Sequence, residues 1–193
     1  MELYTIGHSN HSLERFMELL TAHSITAVGD VRSSPYSRYN PQYNRETLQE
    51  ELNKNGIQYV FLGKELGPRS NDPSCYVDGK VQYHLLAMSS VFKEGIQRLN
   101  KGMESFRIAL MCAEKDPITC HRAILICRHL RDEGIKIQHI LEDGSIEDNE
   151  NSIARMMKLL KIQDTNLFKG KEEIIQDAYN LQGEKIAYEL DQK

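Results

Sequence analysis

Short apolar runs alternate with longer stretches whose apolar positions recur every three or four residues, and this alternation persists to about residue 160. Residues 3–7 predict a first strand. Leu13, Phe16, Met17 and Leu20 follow at helical spacing behind Ser12, a suitable N-cap. Residues 26–31 predict a second strand, a polar loop spans 32–44, and a helix over 45–55 closes at Gly56. Residues 58–62 predict a third strand, followed by a long loop over 63–80 with three glycines and two prolines. A helix over 82–100 leads to a fourth strand over 106–111. Another helix, beginning after Thr119, ends at Gly134. Residues 136–141 predict a fifth strand, Asp143-Gly144 a turn, and 152–160 a helix.

Strands that alternate with helices of this length specify βαβ units. The expectation is a single α/β domain with a mainly parallel, five-stranded Rossmann-like sheet, right-handed crossovers and helices on both faces. From Thr165 onward the pattern changes. The residues are polar and charged, with Ile174, Ile175, Ala178, Tyr179, Ile186 and Tyr188 as packing positions. This predicts an α/β domain over 1–162 and a C-terminal helical extension over 163–193, docked on the domain or a partner and frayed at its end. No internal repeat or low-complexity tract interrupts the chain.

Composition removes several classes. A formal net charge of -4 supplies no global attraction to DNA or to a membrane surface, so any nucleic-acid role needs a local basic patch. No apolar run approaches the ~18 residues of a membrane span. The chain enters its first strand at Leu3 without a charged leader and apolar segment, so secretion is not expected. Four cysteines in unrelated surroundings do not form a disulfide framework, and a reducing cytoplasm is the expected location. The pattern specifies neither a cofactor nor an oligomeric state.

The chemistry gathers where the sheet would place it. Carboxyl ends of parallel strands share one edge, and ligands bind there. The first strand ends in Gly7-His8-Ser9, the second in Asp30-Val31-Arg32-Ser33-Ser34-Pro35 with Arg38 close behind, and the third in Gly63-Lys64-Glu65-Leu66-Gly67-Pro68-Arg69. The fourth strand ends at Cys112 and Glu114, and Cys120-His121-Arg122 opens the next helix. Ser9, Arg32, Arg38, Lys64, Arg69 and Arg122 are candidate anion ligands, because arginine offers a rigid charged fork to phosphate or carboxylate. The alternative is that these arginines pair with Asp30, Glu65 and Glu114. His8 and His121 are candidates for proton transfer, because histidine as a residue type changes charge near neutrality.

Cys120 is the candidate nucleophile, at a helix N-terminus beside His121 and Arg122. Cys112 is as readily a packed core thiol, and Cys127, on the helix face of Cys120, is core. Glu114 is a candidate acid or base, whereas Asp30 has the Asp-x-Arg spacing of a group that orients Arg32. A metal site using Cys112, Cys120 and His121, with His8, lacks the paired Cys-x-x-Cys knuckle of common zinc sites, so no metal is expected. The tyrosine-rich loop 36–44 is either a stacking surface for bases or a lid held down by its rings.

The segments Thr5-Ile-Gly-His-Ser9, Asp30-Val-Arg-Ser-Ser-Pro35 with Ser37-Arg38, Leu62-Gly63 with Leu66-Gly67, and Cys112-x-Glu114 with Cys120-His-Arg122 resemble the signature of the family called domain of unknown function 488. The resemblance runs to about Gly144, roughly three quarters of the chain. It implies a compact α/β domain and assigns no activity. Two other likenesses fail on spacing. Asp30-Val31-Arg32 is similar to the opening of rhodanese domains, and a strand-end cysteine before an arginine is similar to low-molecular-weight phosphatases. Nine residues separate Cys112 from Arg122 and one separates Cys120 from it, and neither interval closes a phosphate loop. No Walker loop or dinucleotide glycine motif is present. Three functions remain in order: an enzyme acting on a phosphate-bearing small molecule or a nucleic-acid end, a non-catalytic module that reads an anion or nucleic acid, and a thiol redox protein.

Overall fold

A computed structural model describes residues 1–165 and 167–190. Eight strands and eight α-helices follow in order: β1 (Glu2–Gly7), α1 (Leu13–Ala22), β2 (Ala27–Asp30), α2 (Arg45–Lys54), β3 (Gln58–Phe61), α3 (Gly63–Leu66), β4 (Tyr76–Val77), β5 (Lys80–Val81), α4 (Tyr83–Met88), α5 (Ser90–Met103), β6 (Ile108–Cys112), α6 (Arg128–Asp132), β7 (Lys136–Ile140), β8 (Ile146–Asp148), α7 (Asn149–Leu160) and α8 (Lys171–Ile186). The main sheet has the order β3-β2-β6-β1-β7-β8. Its first five members in that order are parallel, and β8 returns antiparallel to β7.

Alternation sorts the strand residues to two faces. Tyr4, Ile6, Val28, Ala109 and Met111 point to one side, where Phe16 and Leu20 of α1 and Leu48 and Leu52 of α2 cover them. Leu3, Ala27, Ile108, Leu110 and Cys112 point to the other, under Phe92 and Ile96 of α5, Ile153 and Met156 of α7, and Ile175 and Tyr179 of α8. Every residue of β6 is buried, as a central strand covered on both faces requires. Local signals start the helices. Ser12 accepts from the Arg15 amide ahead of α1, and Asp148 accepts from the Glu150 amide ahead of α7.

Four differences from the sequence expectation have local causes. The sheet has six strands rather than five, because the turn at Asp143-Gly144 folds Ile146–Asp148 back onto β7. The helix expected over 82–100 breaks at Ser89, whose backbone is extended and whose hydroxyl caps the Phe92 amide to start α5. The helix after Thr119 begins as a π-helix over Arg122–Cys127 before continuing as α6. The 63–80 loop holds α3 and a β4–β5 hairpin, turned at Asp78-Gly79 with both residues at positive φ.

The C-terminal segment joins the same core. Ile174, Ile175, Ala178 and Tyr179 of α8 are buried with α7 and the π-helix. Arg131 of α6 ties Glu150 of α7 to Glu172 of α8. Where fraying is expected, the chain instead pairs with the hairpin: the Val81 amide donates to the Tyr188 carbonyl and the Leu190 amide to the Gly79 carbonyl. Residues 191–193, also expected to fray, lie outside the described residues. Among the described residues, no helix is long and apolar enough to cross a membrane.

His139 of β7 shows how tightly this core is set. It is fully buried, with Nδ1 2.8 Å from the Thr5 hydroxyl and Nε2 3.1 Å from Asn149 Oδ1. Burial and the charge of Arg122 lower its pKa to about 4. An unfolded histidine titrates near 6.5, so the neutral ring's stabilisation is complete above that pH and is lost as pH falls toward 4. From this group alone, urea unfolding should show a loss of about 2 kcal/mol between pH 7 and pH 5. His139→Gln should flatten that part of the profile, and an unchanged pH slope in the variant would refute the assignment.

Candidate functional site

Strand order locates the site. From β1 the chain leaves through α1 on one face toward β2 and β3, whereas from β6 it leaves through α6 on the other face toward β7. β1 and β6 are neighbours, with Gly7 beside Cys112. Between two adjacent strands whose connections depart in opposite directions, a crevice opens at the carboxyl ends. Pairing continues past the strand ends, since the His8 amide donates to the Cys112 carbonyl at 2.9 Å and the Ser9 amide to the Ala113 carbonyl at 3.0 Å. Ser9 then turns the chain away with φ of 47°, a left-handed conformation that non-glycine residues seldom adopt.

On the β2 side, Asp30 and Arg32 form a closed group. Asp30 is fully buried and accepts from Arg32 at the amide, Nε and Nη2, at 3.1, 2.9 and 2.7 Å, and from the Tyr59 hydroxyl at 2.8 Å. Arg32 also donates to the Tyr43 carbonyl. His8 stacks on Tyr43, with ring centroids 4.2 Å apart. Its Nδ1 lies 3.0 Å from the Ser9 carbonyl, which accepts only, so Nδ1 carries the proton and Nε2 faces Arg32 Nη1 at 3.4 Å. Burial and the Arg32 charge lower the His8 pKa to about 4, which leaves the ring neutral. Arg32 is therefore already engaged by Asp30.

On the β6 side, Cys112, Glu114, Cys120 and His121 converge. His121 Nε2 is 3.1 Å from the Val31 carbonyl, which fixes the proton on that nitrogen and turns the Nδ1 lone pair to the thiols. The sulfurs of Cys112 and Cys120 each lie 3.7 Å from Nδ1. Both thiols and His121 are buried, whereas Glu114 is exposed and reaches Cys120 Sγ through Oε2 at 3.0 Å. Burial drives the Cys112 thiol well above the usual range. Burial opposes ionisation of Cys120 too, but the hydrogen bond from Cys112 and the charge of Arg122 outweigh it and hold its pKa well below that range. Glu114 is exposed as a residue, but its carboxyl end turns inward against Cys120, where burial and the Cys120 sulfur raise its pKa.

Arg122 does not face solvent. It is 1% exposed and donates from Nη1 to the Glu114 carbonyl at 2.7 Å and from Nη2 to the Lys115 carbonyl at 3.2 Å, while its Nε has no partner among the described residues. Of the arginines and the lysine expected to bind an anion, Arg32 and Arg122 are thus internal. Arg38, Lys64 and Arg69 are exposed and form no ion pair among the described residues. Arg69 rests on the Tyr188 ring at 4.2 Å. Lys64 and Arg69 line a cleft of about 680 Å³ with Ser33, Ser70, Ser89 and Ser90. Ser89 and Ser90 bring the start of α5 to the cleft, and first-turn amides there favour negative charge. The tyrosine loop divides its roles: Tyr43 is buried in the core, while Tyr39 is almost fully exposed.

Tyr59 and the cleft serines Ser70, Ser89 and Ser90 escape a reading of motifs. Tyr59 reads only as one residue of a strand, and Ser89 as the middle of a helix. The family profile described as Domain of unknown function DUF488 matches residues 12–128, more than half of the chain. The chain belongs to this family. The DUF488 match contains Asp30, Arg32, Cys112, Glu114, Cys120, His121 and Arg122, and leaves the Thr5–Ser9 motif just outside. No curated protein matches the chain, and no solved structure matches it either.

One contact holds the two halves of the DUF488 site together. A Cβ built on Gly7 would lie 2.0 Å from the Glu114 carbonyl oxygen, the same oxygen that accepts from Arg122. Backbone occupies that space, so no rotamer change relieves the clash. Gly7→Ala should destabilise the domain by roughly 2–4 kcal/mol in urea unfolding. It should also expose Cys112 and Cys120 to alkylation in the still-folded protein. A variant within about 0.5 kcal/mol of wild type would show that the loop yields freely.

Proposed function

We propose that the chain is an enzyme that acts on a phosphate-bearing substrate held in the cleft at the carboxyl edge of the sheet. The observation that carries this reading is the meeting of two exposed cations that form no ion pair among the described residues, Lys64 and Arg69, with the first turn of α5 around one cleft. Serine hydroxyls at Ser33, Ser70 and Ser90 add donors suited to phosphate oxygens. Arg38, exposed on the loop that follows Ser33 and Ser34 of the cleft, is assigned to a larger ligand such as a nucleotide or nucleic-acid end. Arg32 and Arg122 serve as scaffold in this reading, and His8 positions Arg32.

The chemistry is assigned to Cys120, His121 and Glu114 as a unit. His121 is bonded to Val31, two residues before Ser33 in the cleft, so one short segment touches both places. Glu114, exposed and with a raised pKa, is the group placed to exchange protons with a substrate.

Thermal shift with inorganic phosphate, mononucleotides and short single-stranded DNA or RNA tests the binding half. A ligand at a hundredfold excess over Kd stabilises by about 2.7 kcal/mol. Lys64→Ala and Arg69→Ala, both on exposed residues, should each weaken a phosphorylated ligand by about tenfold without changing the stability of the free protein. Cys120→Ser should lower turnover and retain binding. Binding without turnover and a silent Cys120→Ser would make the domain a binding module, and an absence of any phosphate-dependent shift would remove the reading.

A further inference from the structure

We propose that Cys112, Glu114, Cys120 and His121 bind a divalent cation of the borderline-soft zinc class. One donor atom from each residue lies within 4.8 Å of all the others. Two finer separations agree with a tetrahedral shell. With metal–sulfur and metal–nitrogen bonds of about 2.3 and 2.0 Å, the sulfur–nitrogen edge of a tetrahedron is about 3.5 Å. The two edges here, from Cys112 and Cys120 to His121 Nδ1, are each 3.7 Å. The Cys120–Glu114 separation of 3.0 Å is that of a hydrogen bond, and it must open by about half an ångström once an ion replaces the bonding proton. Glu114 is exposed and has room to make that change.

Three further features prepare the site. The Val31 carbonyl accepts from His121 Nε2, and this arrangement holds a ligating imidazole in one tautomer and one orientation. The Arg122 amide is directed at Cys120 Sγ at 3.5 Å, a donor to a sulfur that would carry charge. Arg122 itself is a buried cation that forms no ion pair among the described residues, and its guanidinium donates to two neutral carbonyls. Such a charge is costly without a counter-charge. A dication with two thiolates and one carboxylate has a net charge of minus one, which Arg122 neutralises. Two thiolates also select the zinc class over magnesium, calcium or manganese. The absence of a Cys-x-x-Cys knuckle follows from the fold, because the ligands come from a strand end and a helix start that meet at the switch point. Buried ligands with one exposed carboxylate place any exchangeable position on the solvent side. Both readings use Cys120, His121 and Glu114, but metal binding does not depend on phosphate, since it requires no occupant in the cleft.

The test uses the full chain purified in reductant without chelator. Elemental analysis should find about one zinc per chain. Cobalt(II) alone, added to the chelated protein, should give the near-ultraviolet thiolate charge-transfer band and the intense visible bands of a tetrahedral centre. Glu114→Gln, at an exposed position, should bind cobalt about tenfold more weakly, whereas Cys112→Ser and Cys120→Ser should each lose roughly a hundredfold or more and the charge-transfer intensity of one thiolate. Wild-type protein that retains no zinc and gives no thiolate band with cobalt would overturn the proposal and leave a metal-free dithiol. Cobalt bound with full intensity in Glu114→Gln and in either serine variant would overturn it as well, by placing the ion elsewhere. Phosphate-induced thermal shifts should be the same before and after chelation, so failure of this site and failure of the cleft reading are distinguishable.

Discussion

The approach of the Cys112–Lys115 loop over Gly7 is the constraint on which the site depends. β1 and β6 pair with Gly7 beside Cys112, and the loop then lies so close that hydrogen alone fits at the glycine α-carbon. That closeness places the Glu114 and Lys115 carbonyls where Arg122 can donate to both. Arg122 fixes the start of the π-helix, and with it the positions of Cys120 and His121. A wider turn of helix at that point is a departure that proteins often retain at functional sites. Here it carries a strand-end thiol, a helix-start thiol and an imidazole into one group.

The basic residues divide by the company they keep. An arginine buried beside a carboxylate, as Arg32 is beside Asp30, satisfies its fork and is unavailable to a ligand without breaking a pair whose separation is costly. Arg122 is buried without such a partner, so it organises neutral carbonyls and imposes a demand for negative charge on its surroundings. Lys64 and Arg69 are exposed, and the energy they lose on meeting a phosphate is only water. Under the proposed function, recognition falls to the exposed pair and preorganisation to the buried one.

Most of the fold is legible in the sequence because the sheet is covered on both faces. The central strands β1 and β6 are buried almost throughout and read as apolar runs, while β2, β3 and β7 are read from shorter apolar segments between helical patterns. β8 does not read so, because Ile146-Glu147-Asp148 is an edge strand with one apolar side chain. The break at Ser89 is equally silent, since a serine between apolar positions reads as helix until its hydroxyl is seen to cap the next one. For the site, motif order places the motif residues along one sheet edge, while their grouping depends on three dimensions. Asp-x-Arg spacing correctly implies the Asp30–Arg32 pair, a contact within one strand end. Nothing in the spacing of Cys112, Cys120 and His121 shows that both sulfurs meet one nitrogen.

That difference has a general physical basis. Local pairs are encoded at short sequence separation, where backbone geometry alone brings side chains together. Convergent sites at a switch point are encoded by topology, since they join the ends of strands that are neighbours in space and distant in the chain. His121 illustrates the point: its proton is fixed by Val31, ninety residues away, and its lone pair is directed by that bond to thiols on a third segment. The tautomer that decides what this histidine can do is thus set by a carbonyl at the end of β2. A sequence motif containing Cys-His-Arg names the residues, but the fold decides which nitrogen faces the sulfurs.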